Sequence, residues 1–217
     1  MKDTTRQIIC ELIKRYNPLL NCKGPIENAV DALIQCYRLK NKVLVCGNGG
    51  SAADSEHIVG ELMKCFLLER KISISDQKQL KEMFPESADY MIDNLQGVLP
   101  AISLVSQTAM ITAYANDKAP DLSFAQQVFG YGEKGDILIA ITTSGNSKNV
   151  IYAAQVARFK GMKIIALTGE KGGKVKELAD ILINVPSNIT YVIQEYHLPV
   201  YHALCASIEN EFFAEED

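Results

Sequence analysis

Twice in this chain a short apolar run gives way at once to a loop of glycine, asparagine and hydroxyl side chains, and then to a segment with helical spacing. The first instance is Val43-Leu44-Val45-Cys46 followed by Gly47-Asn48-Gly49-Gly50-Ser51; the second is DILIAIT, Asp136 to Thr142, running into TTSGNS, Thr142 to Ser147. Runs this short, apolar and rich in branched side chains read as strands buried on both faces, which is the signature of a parallel sheet. Two more such runs, Lys163 to Thr168 and Asp180 to Val185, continue the alternation. Repeated strand and helix with right-handed crossovers predicts an α/β fold with a doubly wound, mainly parallel sheet carrying helices on both faces.

The two loops are also the first pointers to chemistry. Glycine lets a backbone approach a ligand closely, and a helix start presents free N–H groups to an anion. Two such loops at neighbouring strand ends would make one anion pocket outside the carboxyl edge of the sheet. Neither loop ends in Gly-Lys-Ser/Thr or matches G-x-G-x-x-G, so the commonest nucleotide-binding readings fail. A tight turn for the first loop and an ordinary helix cap for the second are the plainer alternatives. Four hydroxyl side chains within the six residues Thr142 to Ser147 favour a phosphate.

The remainder is largely helical by spacing. Residues 4–20 and the segment opened by Pro25 predict two amphipathic helices ahead of the first strand. A short strand is expected at Lys71 to Ser75, two short helices or a surface excursion over 76–100, and a strand from Ile102 to Val105. Helices follow at Thr108 to Asn116 and Leu122 to Phe129, with a turn at Asn116-Asp117, then Asn149 to Lys160, a short helix from Gly172 to Leu178, and a last helix from Ile189 to Phe213, which Pro199 should kink. With 217 residues, 47% of them hydrophobic, one domain over 1–217 is expected, with 76–100 as an insertion. A net charge of −4 argues against a nucleic-acid surface, no apolar run is long enough to span a membrane, and the N-terminus lacks the form of a signal peptide, so a cytoplasmic protein is expected. The six cysteines show no C-x-x-C spacing and read as reduced packing residues.

Only three histidines exist, His57, His197 and His202. His57 and Glu61 fall at i and i+4 on the helix after the first loop, so an imidazole and a carboxylate share one face and could hold a metal or divide acid and base work. Gln194 and His202 lie eight residues apart on the last helix, slightly over two turns, and could likewise face one way. His197 reads as a plain packing or surface residue.

The motifs G-N-G-G-S at 47–51, H-x-x-x-E at 57–61, N-D at 116–117, T-S-G-N-S at 143–147 and Q-E-x-H-x-x-x-x-H at 194–202 together resemble the sugar isomerase (SIS) domain family, and within it the isomerases of phosphorylated heptoses. The resemblance covers most of the chain outside 76–100. It implies a flavodoxin-like SIS fold assembled as a homotetramer with active sites at subunit interfaces. The activity implied is aldose–ketose isomerisation of sedoheptulose 7-phosphate to D-glycero-D-manno-heptose 7-phosphate through an enediol, a step of heptose biosynthesis. Carried over by motif, Thr142, Thr143, Ser144 and Ser147 would hold the phosphate, with Asn48, Gly49, Gly50, Ser51, Asn116 and Asp117 around the sugar. Glu61 and His202 would be the catalytic pair, and His57, Glu61, Gln194 and His202 the ligands of one zinc per subunit, with Glu61 and Gln194 also against substrate. Tyr191 departs from the pattern, standing where these enzymes tend to have an acidic residue. A non-catalytic relative that binds a replication initiator lacks the acidic residue and last histidine of the pattern; Glu61 and His202 are both present here, which favours an enzyme. An isomerase of another ketose phosphate would use the same residues.

Overall fold

The computed structural model describes residues 1–215. Its strands are Val43–Cys46 (β1), Ala101–Ser103 (β2), Ile137–Ile141 (β3), Lys163–Gly169 (β4) and Ile181–Val185 (β5), which form one sheet in the order β2-β1-β3-β4-β5. Every neighbouring pair is parallel, so the sheet is wholly rather than mainly parallel. Each residue of β1 and β3 is buried, as a central strand covered on both faces requires.

The helices are Asp3–Arg15 (α1), Lys23–Arg38 (α2), Gly50–Met63 (α3), Ile74–Met83 (α4), Ala88–Asn94 (α5), Thr108–Asp117 (α6), Ser123–Tyr131 (α7), Lys148–Phe159 (α8) and Thr190–Phe213 (α9). Strand side chains alternate between two cores because the pleat turns successive residues to opposite faces. Val43, Val45, Ile139 and Leu167 pack against α1, α2, α3 and α9, while Leu44, Cys46, Leu138 and Ala166 pack against α7 and α8. Ala153, Ala154 and Ala157 let α8 lie close on the sheet, each fully buried. Helix α9 is continuous over 24 residues with Pro199 inside it.

Three expectations are corrected. Residues 71–75 do not form a strand: Lys71 makes a single antiparallel bridge to Gln96, and Ser73 instead caps α4 by accepting from the Asp76 N–H at 3.1 Å. Asn116 and Asp117 belong to the last turn of α6 rather than to a turn after it. The segment expected as a helix at 172–178 is a 3₁₀ turn over Lys174–Glu177. The two short helices expected within 76–100 are α4 and α5, and the cysteines are free. Among the described residues no helix is long and apolar enough to cross a membrane.

Strand order 2-1-3-4-5 reverses direction between β1 and β3, where the chain goes to β2 on one side and to β4 and β5 on the other. In open parallel sheets the crevice outside the carboxyl ends of the two strands at such a reversal is where ligands bind. The two Gly- and hydroxyl-rich loops follow β1 and β3, so the topology delivers both to that crevice.

Candidate active site

A cavity of about 320 Å³ opens at this crevice. The loop after β1 and the start of α3 supply Asn48, Gly49, Gly50 and Ser51; the loop after β3 supplies Thr142, Thr143 and Ser147; α9 contributes Gln194. The Thr142 and Ser147 hydroxyls are 3.1 Å apart and share a hydrogen bond just ahead of the α8 N-terminus, whose free N–H groups favour an anion. Gly50 has a packing reason: a Cβ there would collide with the Gln194 side-chain amide. Gly145 has φ +68°, a left-handed conformation, and a Cβ there would fall on the Gly172 carbonyl, so the loop is pressed against the turn that follows β4. Ser144 does not line the cavity; its Oγ accepts from the Asn146 N–H at 3.1 Å within the loop. Asn116 and Asp117 also lie outside it, bonded to each other at 2.9 Å on the surface.

Helices α3 and α9 pack together and carry the second half of the site. From Ser51 to His57 the rise along α3 is roughly 9 Å, and from Gln194 to His202 along α9 roughly 12 Å. Each helix therefore carries a residue at the hydroxyl cavity and an imidazole about two turns further along, and the His57 and His202 rings meet edge to face with centroids 4.9 Å apart. Glu61, 8% exposed, accepts from His57 Nε2 at 3.2 Å through Oε1 and from Lys64 Nζ at 2.9 Å through Oε2. Gln194 stands with the cavity, two turns from His202, so the four residues linked by motif are spread along the helix pair rather than gathered at one end.

Sequence reasoning missed two members of this cluster. The Tyr201 hydroxyl is hydrogen-bonded to His57 Nδ1 at 3.0 Å, on the ring edge away from Glu61. Burial, reinforced by the carboxylate of Asp54, pushes the Tyr201 phenol up, which keeps its proton in place. Asp54 has its own carboxyl pushed up by burial, against the opposing pull of Tyr201 and His57, and its Oδ2 is buried without a partner. The signal for Asp54 was available, since Asp54 and His57 stand at i and i+3 on one helix face. Tyr201 gave none, being adjacent to His202 and so expected on another face.

His202 opens onto a groove of about 530 Å³ between α1 and α9, across from Arg15 and beside Phe66. Burial first, then the neighbouring His57, pushes the His202 imidazole down, with Glu61 opposing. Its Nε2 is buried without a hydrogen-bond partner. Two imidazoles, a carboxylate and an amide are donors that zinc accepts, and an orphaned ring nitrogen beside a second imidazole fits such an ion. Among the described residues, no three His, Cys, Asp or Glu side chains already converge as a metal cage.

The chain is similar to known proteins along most of its length. The model of the SIS domain family matches residues 14–77 and 79–169. The phosphoheptose isomerase of Shewanella frigidimarina is 41% identical over 195 residues, covering 88% of this chain and 86% of that protein. Two solved structures are similar: the phosphoheptose isomerase GmhA of Neisseria gonorrhoeae, with TM-score 0.72 and 34% identity over 93% of this chain and 94% of that one, and a phosphoheptose isomerase of Francisella tularensis, with TM-score 0.71 and 31% identity over 92% and 97%.

Proposed function

Because the chain belongs to the SIS domain family, we propose that it is an aldose–ketose isomerase converting sedoheptulose 7-phosphate to D-glycero-D-manno-heptose 7-phosphate. The observation that carries this is the pairing of a hydroxyl-lined anion cavity with the Glu61, His57 and His202 cluster along one pair of helices. Phosphate on Thr142, Thr143 and Ser147 at the α8 start would anchor one end of the sugar, and its carbon chain would run along α3 and α9 toward the carboxylate. The helix rise of roughly 10 Å between the two ends suits a long sugar phosphate with its carbonyl far from its phosphate.

The reaction moves a carbonyl from C2 to C1. A base takes the C1 proton, the C–H electron pair becomes the C1–C2 double bond, and O2 takes a proton to complete the enediol. Reprotonation at C2 with loss of the O1 proton closes the aldehyde. Glu61 is the candidate base, held in place by His57, and His202 the candidate acid at the neighbouring carbon, an arrangement of the kind that contributes roughly 10²- to 10⁴-fold. Zinc is the proposed cofactor, with His57, Glu61, Gln194 and His202 as its ligands; because Gln194 stands two turns of α9 from His202, all four would meet one ion only across a subunit contact, where the metal would polarise the sugar carbonyl as a Lewis acid. Metal content of purified protein, measured beside His202→Ala, tests the ligand set directly.

We also place the enzyme in the cytoplasm as a homotetramer. The open groove between α1 and α9 beside His202 supports a subunit contact there, and light scattering of purified protein checks it. Asn116, Asp117 and Ser144, which stand outside the cavity of one chain, keep a proposed substrate role only through such an assembly or on closure of the loop.

The deciding experiment is incubation with sedoheptulose 7-phosphate in deuterated water. Aldose product carrying deuterium at C2 establishes the isomerase and its proton route. Turnover of other ketose phosphates alone reassigns the substrate and points to Tyr191, which is exposed at the start of α9. No turnover of any sugar phosphate leaves the initiator-binding role.

A further inference from the structure

Helix α3 ends two residues after Glu61, and its final carbonyls need partners from outside the helix. Arg70 supplies them. Its two terminal nitrogens donate to the carbonyl oxygens of Leu62 and of Glu61 itself, both at 2.8 Å. Its Nε donates to Glu209 Oε1 at 2.7 Å, and the guanidinium lies over the Phe213 ring at 5.0 Å. Glu209 belongs to α9, seven residues beyond His202 and on the same face by helical spacing. Its carboxylate takes three further bonds, from the N–H groups of Phe66, Leu67 and Leu68 at 2.7, 2.7 and 3.1 Å. Both side chains are completely buried.

A buried ion pair is weak evidence for stability, because apolar residues of similar volume commonly serve as well or better. What apolar residues cannot do is fix direction. The planar guanidinium joins the backbone of Glu61 to the helix of His202 through one side chain on each side, and five N–H donors in a rigid fork set that spacing. We propose that Arg70, through Glu209, is a positioning residue for the isomerisation: it holds the end of α3 at a set distance and angle from α9, so that Glu61 and His57 meet His202 in working register. The proposal rests on the isomerase reading only for its kinetic consequence. The register itself is a property of the fold.

The test uses the full chain with Arg70→Lys and the charge-free pair Arg70→Met with Glu209→Gln, in which the introduced amide oxygen would still accept from the 66–68 N–H groups. Lysine keeps the charge but cannot reach both carbonyls and the carboxylate, so it should behave as a partial loss. Two readouts are taken. Side-chain ¹⁵N spectra of the three histidines should show the His57 and His202 signals displaced while His197, in the core further back on α9, stays put. Steady-state kinetics on the ketose phosphate should show kcat down roughly tenfold or more with KM within about twofold, since phosphate is held elsewhere and small misplacement of reacting groups is costly. Unmoved His57 and His202 signals overturn the proposal, as does unchanged kcat in an active enzyme. Loss of kcat, KM and melting temperature together in both variants makes the pair structural and also overturns it. A wild-type chain inactive on every sugar phosphate refutes the isomerase alone, and the histidine spectra still decide the register.

Discussion

Asn48 and Asn149 bond to each other twice: the amide Nδ2 of each donates to the Oδ1 of the other, at 2.9 and 2.8 Å. One residue belongs to the loop after β1 and the other to the first turn of α8, so this amide pair ties together the two walls of the hydroxyl cavity. Asn149 Oδ1 also accepts from the Val150 N–H at 3.0 Å, which fixes its rotamer.

Asn149→Ala should therefore loosen the cavity without touching the acid–base cluster. Three neutral hydrogen bonds are lost, two with Asn48 and the one accepted from the Val150 N–H, each contributing about 0.5–1 kcal/mol. The expected outcome is a rise in KM for the sugar phosphate of roughly fivefold, with kcat retained, and a parallel weakening of inhibition by inorganic phosphate. An unchanged KM would mean the two loops do not depend on each other.

Glu61→Gln keeps the shape of the side chain and its contacts with His57 and Lys64 while removing the ionisable group. Turnover should fall roughly 10³-fold, with the thermal melt and phosphate inhibition close to wild type. Near-normal kcat in this variant would remove Glu61 from the role of base.

Gly145→Ala tests the support of the phosphate loop. The added methyl meets the Gly172 carbonyl and, just beyond it, the Cα of Gly173, all backbone atoms that cannot yield cheaply. A left-handed φ adds strain of order 1 kcal/mol for a residue with a Cβ. Stability should drop by roughly 2 kcal/mol or more, and KM should rise more than it does in Ser144→Ala, whose hydroxyl is turned into the loop. Equal KM effects from the two would place Ser144 against substrate after all.

The parts of the fold legible in the sequence were those governed by one dominant force. Buried runs such as Ile137–Ile141 have no alternative to a central strand, and the two loops after β1 and β3 had to meet once the sheet was parallel. Lys71 to Ser75 misled because Lys-Ile-Ser-Ile-Ser alternates with the period of a strand, whereas the Ser73 to Asp76 spacing, a helix-capping signal, decided the outcome. At the site, His57 and Glu61 were readable because i and i+4 spacing fixes their neighbourhood. Gln194 with His202 was half readable: a shared face was correct, but two turns of helix place them at opposite ends of the site. Arg70 could not be found, since a lone arginine after a helix gives no hint that Glu209, 139 residues on, awaits it.

His197 links the core of α9 to acid stability. Its ring is fully buried, Nε2–H donates to the Thr168 carbonyl at 3.2 Å, and Nδ1 has no partner. A proton added at Nδ1 would create a buried charge with an unsatisfied donor, and burial accordingly pushes the imidazole down to about 4, against the pull of the Thr168 bond. In the unfolded chain the same ring titrates near 6.5. Above that pH both states are neutral and the residue contributes no pH dependence. As pH falls from 6.5 to about 4 the unfolded state takes up a proton that the folded state refuses, so stability is lost over that window and by no more below it. The gap corresponds to roughly 3 kcal/mol. His197→Gln retains a donor for Thr168 and cannot titrate, so urea unfolding at pH 7, 5.5 and 4.5 should show the wild type losing up to that much more than the variant. Parallel curves for the two proteins would mean that His197 takes up its proton equally in the folded and unfolded states, and so is not sequestered by the fold.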